Sequence, residues 1–365
     1  MDRIRSFNQD DIPGVATLFQ KIFRGESDLV PESLRAYFAH LYFENPWHDA
    51  TISSLIYEDN GSIRGFVGAL PFPFLARGHR IMSVLAGNLM VDPGLRNPLA
   101  SVRLLKQLFA GPQDATLTDT SSDVARKVWE GLGSATIHTY SLQWLRILRP
   151  SRFVTSTWIG NNAILRPLGY LARPVTTGVD WLFGQLPGSP LRLQKSELEA
   201  RDLSAETLLE GIRELSRKRL LVPDYDVQSL TWLLTEASSK QEYGPLRKVA
   251  LFDKADTLAG WYMYYPNPGR AGQVLQCSGK QPIMRNVLGH LFDDALRHGS
   301  VALIGRFDPK IAKELSEMLC MIVQRGSYVQ AISKNPDVLE ALHSGNAFFT
   351  RLEGEWWTRF QGDTF

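Results

Sequence analysis

One order of strand and helix signals runs through the chain twice, and this recurrence constrains the fold more than any single motif. In the first half, Pro13 follows Asp10 and Asp11, which suits a helix start, and Val15, Leu18, Phe19 and Ile22 repeat at helical spacing. A second helix is expected from Pro31-Glu32, with Leu34, Tyr37, Phe38, Leu41 and Tyr42 on its apolar face and Asn45-Pro46 at its end. Residues 52–57 and 63–70 read as strands around the turn Asp59-Asn60-Gly61, and Pro71-Phe72-Pro73 is expected to end the second of them. Then come a strand over 80–91, a helix through Leu104 and Leu108, a short strand over 115–118, a helix over 123–131 and a closing strand over 135–140. The second half repeats this order. Helices are expected over 204–220 and 226–237, and strands over 248–252, 259–265 and 273–277. A helix over 287–296, a short strand over 301–305, a helix after Asp308-Pro309 and a strand over 328–332 follow. A short helix after Asn335-Pro336 and a sheet strand over 348–357 complete it. Pro266-Asn267-Pro268 stands where Pro71-Phe72-Pro73 stands in the first half.

The length of 365 residues fits such a duplication. The expected division is 1–150 for the first domain, 151–195 for a connector and 196–365 for the second. The 44% apolar content suffices for packed cores, and two cysteines give neither a disulfide framework nor zinc spacing, so no metal is expected. A net charge of +2 argues against a globally basic nucleic-acid binder. No apolar segment has the length of a signal core or a membrane span, so a cytoplasmic location is expected. Residues 131–179 contain no Asp or Glu but do contain Arg146, Arg149, Arg152, Arg166 and Arg173 among aromatic residues. Three readings stay open for this stretch: a strap packed between the halves, a face for anionic substrate, or a peripheral contact with an acidic membrane surface.

The segment Leu89-Met90-Val91-Asp92-Pro93-Gly94-Leu95-Arg96-Asn97-Pro98-Leu99-Ala100-Ser101 carries a resemblance. A strand ending in Val-x-Pro, then Arg and a helix, after a helix pair and a hairpin, resembles the GNAT superfamily of acyl-CoA N-acyltransferases. The helix end Ala125-Arg126-Lys127-Val128-Trp129-Glu130-Gly131-Leu132-Gly133 resembles a second landmark of the same family, with Trp129 where a tyrosine is usual. The fold class implied is α/β (α+β): two GNAT-like domains, each a mixed, mostly antiparallel sheet flanked by helices. The resemblance implies acetyl-CoA or another acyl-CoA as co-substrate and an amine on a small molecule, amino sugar or lipid-linked precursor as acceptor. It implies that the backbone of Leu89, Met90 and Val91 holds the pantetheine arm and polarises the carbonyl. Arg96, Asn97, Leu99, Ala100 and Ser101 would hold the pyrophosphate at a helix N-terminus, where unpaired N–H groups and the helix dipole favour an anion. Leu99 stands where the family prefers a small residue. The second half matches in order of elements, with Lys280 and Arg285 before its helix but no Gly-x-Gly.

Amide formation needs a proton acceptor, a donor for the leaving thiolate and a group to orient the amine. Asp119, after the 115–118 strand, is the candidate base, with helix capping as the alternative. Tyr140 is the candidate proton donor, with ordinary sheet packing as the alternative. Asn88 is placed to orient a substrate. Glu44 and His48, beside Trp47, end the second helix where acceptors enter related folds. Two further readings remain: a non-catalytic GNAT-like binding module, and a FemAB-like aminoacyl transferase.

Overall fold

The structure of the protein is a computed structural model, and it describes residues 2–25, 30–95, 97, 99–154, 196–359, 363 and 365. Most of the expected connector, 155–195, lies outside the described residues, as do Arg96, Pro98, Arg166 and Arg173.

The elements of the first half are β1 (Arg3–Ser6), α1 (Ile12–Phe23), α2 (Glu32–Tyr42), β2 (Leu55–Asp59), β3 (Ser62–Ala76), β4 (His79–Val91), α3 (Ala100–Phe109), β5 (Ala115–Ser121), α4 (Asp123–Gly131), β6 (Ala135–Thr136), α5 (His138–Ser141), β7 (Leu142–Ile147) and α6 (Pro150–Val154). The second half has β8 (Glu199–Asp202), α7 (Ala205–Leu215), β9 (Leu221–Pro223), α8 (Val227–Ser239), β10 (Arg247–Phe252), β11 (Leu258–Tyr265), β12 (Ala271–Gly279), α9 (Met284–Arg297), β13 (Ala302–Arg306), α10 (Ala312–Glu317), β14 (Met321–Gln324), β15 (Tyr328–Ser333) and α11 (Pro336–His343).

Local chemistry explains many boundaries. Pro13 sits in the first turn of α1, where its missing N–H costs no hydrogen bond. Ser122, Ser204 and Asp226 cap α4, α7 and α8 by accepting from backbone N–H groups. The β2–β3 hairpin turns through Asn60 and Gly61, both at positive φ.

Among the described residues two sheets share one seven-strand order, and β9 adds an eighth strand to the first by pairing with β3. The first has the order β1-β2-β3-β4-β5-β15-β6, and the second β8-β10-β11-β12-β13-β7-β14. Among these neighbours, β4–β5 and β12–β13 are parallel and the others antiparallel. Each sheet is therefore mixed, mostly antiparallel and flanked by helices.

The sixth strand of each sheet comes from the other half. β15 lies between β5 and β6 in the first sheet, and β7 lies between β13 and β14 in the second. The expected division at residue 150 thus divides the chain but not the sheets. Tyr328–Ser333 is a strand as expected, but it joins the first sheet.

Three expectations are corrected. β3 does not end at Pro71; it runs through both prolines to Ala76. Pro71 and Pro73 pair with Val84 and Met82 of β4, while β2 pairs no further than Val67 and β9 begins at Phe74. The missing N–H groups face a gap between neighbours, where no ladder bond is lost. Residues 137–140 do not extend the closing strand, because the chain turns through α5 into β7. Residues 348–357 form irregular backbone rather than a strand.

One large core joins α1 and α2 with α7 and α8, and includes Trp47, Tyr225, Trp261 and Trp357. Because each sheet needs a strand from the other half, residues 1–195 and 196–365 expressed separately should each lack cooperative unfolding. Mixing them should restore it, as read by circular dichroism on heating.

Candidate functional site

β4 and β5 run side by side only from Ser83↔Ala115 to Leu85↔Leu117, and then part. A bulge in β4 accompanies the parting: the β3–β4 register shifts between Phe66 and Gly68, and Asn88 takes φ 51. An extra residue in one strand bends it and increases its twist. β5 is thereby left with backbone N–H groups that β4 cannot pair.

Glu355 fills that gap. Its Oε1 accepts hydrogen bonds from the Thr118 hydroxyl (2.5 Å), the Thr120 hydroxyl (2.7 Å) and the Thr120 N–H (3.2 Å). The Asp119 N–H reaches Oε2 at 3.0 Å and Oε1 at 3.1 Å. The Asp119 carboxylate in turn accepts from the Glu355 N–H at 2.8 Å. A Cβ added to Gly87 would lie 3.4 Å from Glu355 Cγ, so this side chain lies over β4 as well. Glu355 is buried, and burial together with the nearby Asp119 raises its carboxyl pKa well above the usual range.

Asp119 does not cap α4; Ser122 does. Its carboxylate is fully buried and meets Arg306 Nη2 of β13 at 2.5 Å. Arg306 Nη1 also donates to the Thr350 carbonyl at 2.8 Å. One guanidinium thus ties the open end of β5 to the second sheet.

Asn88 lies on the bulge. Its Nδ2 donates to the Tyr42 hydroxyl of α2 at 2.9 Å, while its buried Oδ1 has no hydrogen-bond partner among the described residues. Tyr42 packs over Gly68, where an added Cβ would come within 2.1 Å of the hydroxyl oxygen. Burial, with the Glu355 charge, pushes the Tyr42 phenol up and keeps it protonated. Tyr140 is occupied elsewhere: its hydroxyl donates to the Ala347 carbonyl at 2.6 Å and accepts from the Ala347 N–H at 3.0 Å.

Leu89 and Val91 are half-buried and Met90 is buried. Leu89 and Val91, with Leu95, Val128 and Leu132, form half-buried apolar surface in the cluster of Trp129, which is buried against Phe109 (ring centroids 4.7 Å), while Met90 belongs to the large core. Beyond β4, the Asn97 side chain donates to the Tyr57 hydroxyl at 2.9 Å and accepts from the Leu99 N–H at 3.0 Å. Leu99 is exposed, Ala100 begins α3 and Ser101 stands half-buried in its first turn. The loop is anchored by Asp92, which is bound by Lys21 and Arg64 at 2.8 and 2.9 Å. Glu44 contacts His40 and the His48 ring contacts the Tyr42 carbonyl, so neither reaches the parted strands through these bonds.

The second sheet repeats the geometry. β12 and β13 pair from Ala271↔Ala302 to Gln273↔Ile304 and then separate. This gap is nearly closed: a cavity of about 20 Å³, room for one water, lies among Trp144, Gln276, Cys277, Arg306, Phe349 and Thr350. Arg351 donates to the Gln273 side chain at 3.0 Å and the Val274 carbonyl at 3.4 Å, and burial lowers its pKa to about 9. Glu353 accepts from the Thr350 N–H (2.7 Å), Gln276 Nε2 (2.9 Å) and the Tyr225 hydroxyl (3.1 Å). Burial raises its pKa to about 7. Residues 349–355 therefore close both gaps at once. The alternation of three charged residues, Arg351, Glu353 and Glu355, over five positions was the available sequence signal, but the tryptophan pair beside them reads as a strand. Tyr42 was hidden among the apolar positions of α2.

No protein-family model and no curated protein matches the sequence. Solved structures do match in fold. A probable N-acyltransferase from Enterococcus faecalis V583 aligns at TM-score 0.59 and 12% identity, covering 91% of this chain and 72% of that one. Saccharomyces cerevisiae N-myristoyltransferase with bound myristoyl-CoA aligns at TM-score 0.55 and 11% identity, covering 90% and 79%. A GCN5-related N-acetyltransferase from Anabaena variabilis aligns at TM-score 0.60 and 9% identity, covering 93% and 75%. The fold is that of the GNAT N-acyltransferases, and this chain builds its sheet plan twice.

Two outcomes follow from the packing. A Cβ at Gly354 would fall 2.3 Å from Asp119 Cγ, so Gly354→Ala should cost about 1–3 kcal/mol of stability in urea unfolding. Glu353 has a folded pKa of about 7 against an unfolded 4.5, so the folded state binds the extra proton between those values. Its contribution to stability falls as pH rises from about 4.5 to about 7, by about 3 kcal/mol in all, and is then constant. The stability difference between Glu353→Gln and the native protein should change by that amount across this window.

Proposed function

We propose that the protein is an acyl-CoA-dependent N-acyltransferase whose donor lies along β4 of the first sheet. The observation that carries this reading is the parting of β4 from β5 at the Asn88 bulge, with a helix N-terminus directly beyond β4. The pantetheine arm would run back along Leu89–Val91, over the half-buried apolar side chains beside it. The first turn of α3, with Asn97, Leu99, Ala100 and Ser101, would face the pyrophosphate, and Arg96 would add charge there. The unpaired Asn88 Oδ1 offers an acceptor to an N–H of the arm or of the amine.

The amine attacks the thioester carbon; the C–N bond forms, the C–S bond breaks, and the leaving thiolate takes up the proton that the amine gives to Glu355. The amine must release its own proton, and Glu355 is the carboxylate at the parted strands with the less engaged oxygen, Oε2. Asp119 then acts as a positioning residue, holding the Glu355 backbone while held by Arg306. The acceptor would be an amine on a small molecule, amino sugar or lipid-linked precursor.

Isothermal titration with acetyl-CoA and longer acyl-CoAs tests the reading; no heat with any of them would overturn it. Ser101→Asp is a second test of opposite signs. A carboxylate in the first turn of α3 stabilises the helix by about 0.3–1 kcal/mol, yet it should weaken acyl-CoA binding about tenfold by repelling the pyrophosphate.

The fully hydrogen-bonded Glu355 also favours a second reading, a non-catalytic GNAT-like module in which residues 349–355 are a permanent seal. Turnover of any acyl-CoA would exclude it.

A further inference from the structure

Resting on the reading above, we infer that Glu355 is a specificity-determining residue that closes the acyl end of the donor site and restricts it to short, uncharged acyl groups. The direction of the donor follows from the order of elements. The anion-facing N-terminus of α3 lies beyond the last residue of β4, so the arm must run from Val91 back toward Gly87. That path is about 13 Å at ~3.3 Å per residue. Whatever extends past the carbonyl points to the place where β4 and β5 rejoin, at Leu85 and Leu117.

That place is filled and polar. Glu355 lies over Gly87 and holds the Thr118 and Thr120 hydroxyls and the Asp119 and Thr120 N–H groups. The Tyr42 hydroxyl and the unpaired Asn88 Oδ1 complete it. An alkyl chain pushed to this depth would displace the carboxylate and strand the donors it satisfies, and a buried donor without a partner is costly. An acyl group ending in a carboxylate would meet the buried Asp119 carboxylate, which lies against Glu355, as a like charge. The small substituent of an acetyl or propionyl thioester requires neither.

The experiment is calorimetric binding of acetyl-, propionyl-, octanoyl-, myristoyl- and succinyl-CoA to the full chain, so that it reads the donor site independently of turnover. Acetyl- and propionyl-CoA should bind alike, and the other three at least about tenfold more weakly. Glu355→Gln keeps the volume and puts an amide donor in place of a carboxyl, so succinyl-CoA should recover while octanoyl-CoA stays weak. Glu355→Ala opens the space, and octanoyl-CoA should approach acetyl-CoA. Should Glu355→Ala fail to fold, the native and Glu355→Gln profiles still decide. Octanoyl- or myristoyl-CoA binding the native protein as tightly as acetyl-CoA overturns the inference and leaves the acyltransferase reading standing. Absence of binding by every thioester overturns both.

Discussion

Two parallel strands that separate leave amides that no neighbour in the sheet can pair, and everything between the two sheets is arranged around that deficit. β5 loses β4 beyond Leu117, and the unpaired N–H groups of Asp119 and Thr120 are taken by the Glu355 carboxylate. A carboxylate is a strong acceptor for such groups, and its burial is tolerable because several donors converge on it. Asp119 can be buried because Arg306 neutralises it, and Arg306 belongs to the corresponding strand of the second sheet. The open ends of the two sheets are therefore joined through a few charge-assisted bonds.

The same segment serves both openings. Arg351 reaches the β12 carbonyl at Val274 and Glu353 meets Gln276, while Glu355 faces β5 four residues further on. Gly354 allows the tight passage between them, since any side chain there would collide with Asp119. A duplicated fold has two equivalent openings, and here residues 349–355 reach into both. The asymmetry lies in what remains beside them: half-buried apolar surface and a helix N-terminus along β4, against a cavity the size of one water along β12.

Much of the architecture was legible in the sequence because it is written in local periodicity and turn chemistry. The apolar spacing of α1 and α2, the Asn60-Gly61 turn and the helix starts at Asp226 and Asn335 specify their elements within a few residues. What lay beyond reading is non-local. Nothing in residues 142–147 or 328–333 states which sheet each strand will join, since pairing partners are chosen by tertiary packing. Prolines were read as strand ends, yet at Pro71 and Pro73 the absence of a neighbour on one side removes the penalty. The resemblance put the donor along Leu89–Val91, and Asn88 sits on the bulge beside them. Glu355 was missed because its partners are more than two hundred residues away in sequence.

The exchange of sixth strands also has a consequence for how the protein is made. β5 waits for β15, so an open strand edge persists on the first sheet until residues 328–333 have left the ribosome. Nearly the whole chain must be synthesised before either sheet can close, and pairings of such long range form slowly. The nascent first half therefore carries an unpaired edge through most of translation, when edge-to-edge misassembly with another chain is easiest. Production of this protein should depend on chaperone capacity more than its finished stability suggests.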